Sequence, residues 1–133
     1  MLIESENLWL RIRPVLERFA AGVVSANPSL MQSIANITND AFFLRAYLSF
    51  RKHNDGNDIA ISVEAILAGD QLNITTDICW DDGEVLAVGP SSKLSVDNSR
   101  SSVVATANEW VIEFEKFLQA QEANILKVAL ELS

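Results

Sequence analysis

The residues best suited to chemistry in this 133-residue sequence are carboxylates that fall in two short polar segments. They are Asp55, Asp58, Asp81, Asp82 and Glu84. Each segment contains an Asp-Gly step, which is typical of tight turns between strands. Carboxylates held close together repel one another, raise some of their pKa values, and attract a basic protein surface or a weakly held divalent cation. We therefore predict that these residues contact a basic protein partner, with solvated turn residues as the alternative.

A second set of candidate residues alternates with apolar positions in residues 41–53. It consists of Arg45, Tyr47 and Arg51. The period of two places these side chains on the outward face of a strand. Arginine and tyrosine are residue types that protein interfaces favour. We predict that this face contributes to partner binding through these three residues, with a solvated face as the alternative.

No catalytic or metal-binding motif accompanies these residues. The sequence has no G-x-S-x-G, H-E-x-x-H, P-loop or G-x-G-x-x-G pattern. The only histidine, His53, lies beside a predicted turn, and the only cysteine, Cys79, lies between Asp77 and Asp81, which oppose thiolate formation. Residues 54–58 lack the spacing and the closing glutamate of an EF-hand loop. We expect no catalytic residue, no cofactor and no bound metal, so a non-enzymatic protein is the better interpretation.

Charge and composition narrow the function classes further. The 18 acidic and 10 basic residues give a net charge of −8, which repels nucleic-acid phosphates and anionic lipid headgroups. The chain is 49% hydrophobic and 21% charged, as expected for one globular domain over residues 1–133. No apolar run reaches the ~18 to 20 residues of a membrane span, and charged residues near the N-terminus do not fit a signal peptide. We expect a cytoplasmic protein that binds neither nucleic acid nor membrane.

Helical periodicity marks both ends of the chain. Apolar residues recur every three or four positions in residues 4–24, which predicts an N-terminal helix kinked at Pro14, because proline cannot donate a backbone N–H. Asn27-Pro28 is a favourable helix start and predicts a short second helix that ends before Asn36. The same periodicity in residues 102–132 predicts a long C-terminal helix. Gln121 interrupts its apolar stripe, so the pattern leaves open whether the helix is continuous or broken near residues 119–122.

Between the helices the apolar pattern changes to a period of two. Three alternating segments, followed by two short ones, predict an antiparallel meander of three to five strands. These segments are residues 41–53, 59–67, 72–80, 85–89 and 93–96. Two-residue turns at Asp55-Gly56 and Gly69-Asp70 would pair inward residues with inward residues, for example Phe50 with Ile61 and Leu67 with Leu72.

The order of these elements predicts an α+β fold in which the C-terminal helix packs on one sheet face. The turns after the first and third long strands lie at the same end of a meander, so the five carboxylates should converge.

The favoured function is a small acidic protein-binding module, such as an inhibitor or immunity-type protein that covers a basic partner. One alternative is a secretion-chaperone-like homodimer, because type III secretion chaperones are also small, acidic and α+β; the other is an enzyme or small-ligand carrier with a pocket between sheet and C-terminal helix.

A homodimer is also consistent with the mean hydropathy of +0.16. Trp9 and Trp110 lie at the borders of their apolar helical stripes, where an aromatic side chain either closes the core or rests in a subunit contact. The sequence therefore predicts a dimer contact that includes residues 110–118 of the C-terminal helix.

Overall fold

The computed structural model of the chain describes residues 3–40, 43–80, 82–95 and 100–132. Its elements are α1 (Ile3–Ala26), β1 (Met31–Asp40), β2 (Phe43–Arg51), β3 (Asp58–Ala68), β4 (Gln71–Trp80), β5 (Val85–Val88), β6 (Ser92–Ser95) and α2 (Arg100–Ala129). The strands form one antiparallel sheet in the order β1-β2-β3-β4-β5, and β6 pairs with a different part of β4. The predicted α+β class is confirmed.

The core lies between one face of the sheet and the two helices. Alternate residues of the central strands are fully buried: Leu44, Ala46, Leu48 and Phe50 of β2, and Ile59, Ile61, Val63 and Ala65 of β3. Phe19 of α1 packs edge-to-face on Phe50, with ring centroids 6.4 Å apart. Trp110 of α2 stacks on Phe114 at 5.0 Å, and its Nε1 donates a hydrogen bond to the carbonyl of Pro90 at 3.1 Å. The opposite sheet face carries no helix among the described residues.

The two helices run side by side in the same direction. Arg11 Nε donates to Asn108 Oδ1 at 2.7 Å, and Arg18 Nη2 donates to Glu115 Oε1 at 3.3 Å. Both contacts join residues 97 positions apart, so the two helices advance together. Lys52 Nζ, just after β2, donates to the carbonyl of Leu130 at 3.3 Å. The C-terminal ends of α1 and α2 therefore both lie at the end of the sheet where β2 ends.

The predicted short second helix is wrong, because Met31–Asp40 is strand β1. Asn27 does not begin a helix. Its Oδ1 instead accepts hydrogen bonds from Ser29 N at 3.3 Å and Ser29 Oγ at 2.6 Å, and its carbonyl accepts from Leu30 N at 3.1 Å. These bonds close a turn that directs the chain into β1, which raises the sheet to six strands.

The predicted ends of the two helices lie within three residues of those in the structure. α2 is a continuous helix from Arg100 to Ala129, which answers the question that the sequence left open at residues 119–122. Alanine, glutamine and glutamate at these positions are strong helix formers, and a polar residue in an apolar stripe does not end a helix. α1 contains Pro14 within its Ile3–Ala26 span, and a kink there stays a prediction.

The second predicted hairpin is correct, and the first is wrong by two residues. Leu67 pairs with Leu72 across a turn in which Gly69 has a φ of 65°. Phe50 pairs with Ile59 rather than Ile61, because residues 52–57 form a longer loop. The two-residue turn expected at Asp55-Gly56 needs positive φ at both residues, and neither has it. The shift of two keeps every side chain on its predicted face.

The two short strands extend the sheet, but β6 does not continue the predicted meander, because it pairs with β4 rather than with β5. β5 and β6 correspond to the fourth strand and the edge strand, although Val96 lies outside the described residues. Both pair with β4, β5 near Cys79 and β6 near Leu72, and between them the N–H of Gly89 donates to the Thr76 carbonyl at 2.9 Å. Neither described helix is long and apolar enough to cross a bilayer.

Candidate functional site

Three carboxylates meet at the end of the sheet where β4 leads into β5. Asp82, Glu84 and Glu131 line a concavity of about 410 Å³ together with Asn57 and Trp80. Asp55 lies in the adjoining β2–β3 loop, two residues before Asn57. We call Asp55, Asp82, Glu84 and Glu131 the acidic end. Three of these four residues were predicted from the sequence to lie together.

The tight turn after β4 sets the positions of the two central carboxylates. Gly83 has a φ of 89°, a left-handed conformation that glycine adopts without steric cost, and its N–H donates to the Trp80 carbonyl at 2.8 Å. Trp80 N–H donates to the Glu84 carbonyl at 2.9 Å. The Glu84 N–H donates to Asp82 Oδ1 at 3.0 Å, which orients that carboxylate. The predicted residue Asp81 lies outside the described residues.

Asp58 and Arg51, both predicted to contact a partner, form an ion pair with each other. Arg51 Nη2 lies 3.1 Å from Asp58 Oδ2, and Arg51 Nη1 donates to the carbonyl of Asn54 at 3.1 Å. The Asp58 side chain is only 15% exposed. These contacts hold the β2–β3 loop on the open sheet face, so Asp58 does not add free negative charge to the acidic end.

The ion pairs of the described residues leave the acidic end uncompensated. Five such pairs are present, and they join Arg13 to Glu17, Arg18 to Glu115, Arg45 to Glu64, Arg51 to Asp58 and Lys116 to Glu113. None of the five includes a residue of the acidic end. Lys52 is one cation beside this end, and its Nζ donates to the Leu130 carbonyl.

The helix ends add to the negative potential. The carbonyl ends of helices carry about half a negative charge each. Both helices point these ends toward the end of the sheet that carries Asp82 and Glu131. The last turn of α1 contains no basic residue, and that of α2 contains only Lys127. Backbone and side-chain charges of the same sign therefore converge there.

The open sheet face, on the side away from the helices, holds the other predicted contact residues. Arg45 Nη2 lies 2.9 Å from Glu64 Oε2, and the Arg45 guanidinium lies 5.5 Å from the Phe43 ring centroid. Tyr47 lies opposite Ser62. The predicted pairing of Phe50 with Ile61 would have placed Tyr47 opposite Glu64. Arg45 and Tyr47 line a shallow depression of about 350 Å³ on this face. Arg45 is held by Glu64 of the adjacent strand and by Phe43 of its own strand. It is therefore less available for contact with a partner than the sequence indicated.

The same face carries the only cysteine. Cys79 lies opposite Ala60, as predicted, and burial raises the pKa of its thiol above the ordinary 9.0. A hydrogen bond with Asp77 and the negative charge of that carboxylate raise the pKa further. A thiol in this setting is a poor nucleophile, because the thiolate is the reactive form. His53 lies exposed in the β2–β3 loop.

No metal centre is seen in the part of the chain that the structure describes, and apolar side chains fill the core-facing side of α2. Residues 3–40, 43–80, 82–95 and 100–132 contain no group of three His, Cys, Asp or Glu side chains that could hold a metal ion. Trp110, Phe114 and Leu118 fill the side of α2 that faces the core, and each is at most 3% exposed. These side chains occupy the place expected for a ligand pocket. Being buried, these three side chains would not take part in the dimer contact predicted around residues 110–118, which stays a prediction.

Sequence reasoning missed Asn57, Trp80 and Glu131 at the acidic end. The alternation in residues 72–80 predicts that Trp80 points inward, and it does not indicate that Trp80 lies beside carboxylates. Glu131 could have been noticed only because it lies two residues after the end of α2. The position of Glu131 depends on which end of the sheet α2 points to, and no simple sequence pattern indicates that direction. Comparison of the chain with protein families, with curated proteins and with solved structures finds no match.

Proposed function

We propose that this protein is a small acidic protein-binding module that covers a basic surface of a partner protein with its acidic end. The observation that supports this function is the convergence of Asp82, Glu84 and Glu131 on one concavity. Inhibitors and immunity-type proteins that mask a basic site act by such complementarity. The absence of a match to known proteins leaves the proposal to rest on this geometry and its electrostatics.

Charge at this end would act first on the rate of encounter. A surface of one sign attracts a partner of the opposite sign over the Debye length, which is ~10 Å at 0.1 M salt. Such steering raises association rates by about 10- to 1,000-fold. The uncompensated carboxylates and the two helix ends have the same sign, so their fields add.

The concavity itself has room for one or two basic side chains. Trp80 supplies an aromatic surface, and Asp82, Glu84 and Glu131 supply carboxylates around it. A guanidinium or ammonium group can lie over an indole ring and pair with carboxylates at once, and the cation–π contact is worth about 0.5–2 kcal/mol. Arginine, which forms forked hydrogen bonds to carboxylates, is the side chain that we expect there.

The test compares two variants with equal changes in net charge. One is Asp82→Asn/Glu84→Gln/Glu131→Gln at the acidic end. The control is Asp70→Asn/Glu109→Gln/Glu113→Gln, which removes three exposed carboxylates elsewhere. The probe is a fluorescent decalysine peptide in low salt. We expect the first variant to weaken binding about tenfold or more and the control to change it by less than about twofold.

Basic proteins retained from a cell extract extend the test to natural partners. Columns that carry the wild type and the control variant should retain the same basic proteins, and the acidic-end variant should lose them. Equal binding of the decalysine probe to both variants would show that net charge alone acts, and would reject the acidic end as a site.

The alternative of a secretion-chaperone-like homodimer needs a surface on which two copies meet. Strand β1 favours such a surface, because it is long, lies at the edge of the sheet and carries no charged residue before Asp40. The two functions are compatible, because β1 and the acidic end use different residues.

A further inference from the structure

Strand β1 leaves one edge of the sheet open. It has ten residues, pairs with β2 along one side, and is the terminal strand in the sheet order. Among the described residues, no strand pairs with its other side. An edge of this kind presents unpaired backbone N–H and C=O groups, which are a template for another strand.

β1 lacks the features that normally protect a sheet edge. Proteins protect edges with charged side chains, with proline or by keeping the edge strands short. The opposite edge has all three, because β5 and β6 have four residues each, Pro90 lies between them, and β6 carries Lys93. β1 contains no proline and no charged residue before Asp40. Its composition is typical of a strand that another chain covers.

A groove between α1 and β1 borders this open edge. Its volume is about 710 Å³, and its lining includes Trp9, Ala21 and Val24 of α1 and Ile34 of β1. Arg13 and Glu17 also border the groove, and they form an ion pair at 2.7 Å, so together they add no net charge. A strand added to β1 would place alternate side chains in this groove and cover its apolar lining.

We propose that a second copy of the chain covers this edge, with β1 pairing antiparallel to β1 of the other copy about a two-fold axis at Ile34. The ladder with β2 is regular from Met31 to Ile37 and shifts between Ile37 and Asp40. Ile34 is the central residue of that regular segment. An axis at Ile34 therefore uses the whole regular part of β1 in both copies.

The sequence of β1 complements itself about this axis. The axis pairs Met31 with Ile37, Gln32 with Asn36, Ser33 with Ala35, and Ile34 with Ile34 of the other copy. Each pair joins residues of one kind: two apolar, two amide, two small and again two apolar side chains. A two-fold interface requires such self-complementarity, because the same surface contributes both halves. Met31 and Ile37, which are 39% and 46% exposed, would cover each other across the joint.

The lack of charge along β1 favours a second copy over a basic segment of another protein. Each copy carries a net charge of −8, so two copies repel at long range, and the repulsion is least where they meet through surfaces without net charge. β1 before Asp40 carries no charge, and in the adjoining groove Arg13 is paired with Glu17. A basic segment, in contrast, would find no unpaired carboxylate along the regular part of β1. The acidic end, not this edge, suits a basic partner.

The position of the helices is consistent with the proposed pairing of the two β1 strands. α1 contacts both β1 and β2, so it lies close to the open edge. Neighbouring strands are about 4.8 Å apart, and packed helices are about 8–10 Å apart. The two copies of α1 would therefore approach each other over the paired β1 strands. This contact would bury Trp9, which is only partly buried in one copy.

Three double variants test both the pairing and its register, because Ser33 and Ala35 are exposed and tolerate charge. In the proposed register Ser33→Lys/Ala35→Glu places lysine opposite glutamate in both pairs, so the dimer should persist. Ser33→Lys/Ala35→Lys and Ser33→Glu/Ala35→Glu place like charges opposite each other, so each should weaken the dimer about tenfold or more. A mixture of these two variants should restore it. Sedimentation velocity measures the oligomeric state, and urea unfolding checks that each variant folds.

Three results would overturn the proposal. The first is a wild-type chain that stays monomeric at about 100 µM, far above a micromolar Kd. That result would assign the edge to a strand from another protein. The second is a dimer that none of the charged variants changes. The third is a failure of the lysine and glutamate variants to associate when mixed. The Asp82→Asn/Glu84→Gln/Glu131→Gln variant should remain a dimer, so failure of one proposal does not affect the other.

Discussion

Cys79 shows how the open sheet face controls the reactivity of one side chain. Burial is the largest cause of its raised pKa, and Asp77 adds a hydrogen bond and a negative charge. We predict that Asp77→Asn speeds alkylation by iodoacetamide at about pH 8 roughly threefold, because the pKa falls and more thiolate forms. The increase should be limited, since burial remains. Mass spectrometry of timed samples measures the rate, and Asp70→Asn in the exposed β3–β4 turn is the matched control.

The same pKa gives a pH dependence of stability with a definite sign. A thiol whose pKa is raised in the folded state stays protonated there more readily than in the unfolded chain. Its stabilising contribution is complete below 9.0 and is lost as pH rises through the raised pKa. Wild type should therefore lose more unfolding free energy than Cys79→Ser when urea titrations are repeated above pH 9.0. Equal alkylation rates in wild type and Asp77→Asn would contradict this account.

Residue positions were predictable from the sequence as far as the face of the sheet, and no further. The alternation placed Cys79 outward and opposite Ala60, and the structure agrees. It did not reveal that Arg51 pairs with Asp58, because this contact depends on the length of the β2–β3 loop. A period of two fixes which way a side chain points, whereas its neighbour across the ladder depends on the conformation of the turn.

Gly89, between β5 and β6, lies close to the Phe117 side chain of α2. A Cβ at this position would lie 2.8 Å from Phe117 Cε2 and 3.0 Å from Thr76 Cγ2. We predict that Gly89→Ala lowers the unfolding free energy by about 1–3 kcal/mol, because the Phe117 ring and the Thr76 side chain must shift to make room. Urea unfolding measures the loss. Phe117→Leu in the same background should recover part of it by making room.

Gly22 in α1 is the matched control for this prediction. A Cβ there would meet only Glu122 Oε1, at an ordinary contact distance of 3.5 Å. Gly22→Ala should raise the unfolding free energy by about 0.5–1 kcal/mol, since alanine is the better helix former. Two identical substitutions should thus act in opposite directions. A gain of stability in Gly89→Ala would show that the contact of Gly89 with Phe117 is looser than the structure indicates, and a loss in Gly22→Ala would show that α1 lacks room for a Cβ at Gly22.

β1 is the element that the sequence pattern failed to predict, and its position explains why. Its inward residues include Gln32 and Asn36, which lie beside the open groove rather than under a helix. A strand without cover on its inner side needs no apolar alternation. The helix prediction relied on Asn27-Pro28, but side-chain bonds from Asn27 stabilise a turn equally well. The strands under the helices, in contrast, were predicted because burial imposes their alternation.

At the scale of the whole molecule, the sequence predicted the layers but not how they are aligned. Periodicity identified two helices and an antiparallel sheet, and turn residues placed the 81–84 turn at the same end as the β2–β3 loop. The parallel arrangement of α1 and α2 depends on contacts far apart in the chain, such as Arg18 with Glu115. Without it, neither the position of Glu131 nor the two helix ends at the acidic end could be inferred.

The two proposed surfaces should respond to salt in opposite directions. Between 0.1 M and 1 M salt, the Debye length falls from ~10 Å to ~3 Å. Screening removes the attraction between the acidic end and a basic probe, so decalysine binding should weaken by about tenfold or more. The same screening removes repulsion between two copies that each carry a charge of −8, so the dimer should strengthen.

Fluorescence titration measures the first response, and sedimentation at a chain concentration near the dimer Kd measures the second. A dimer that weakens with salt would mean that ion pairs, rather than the uncharged β1 edge, join the two copies. Decalysine binding that salt leaves unchanged would mean that the carboxylates of the acidic end do not attract the probe.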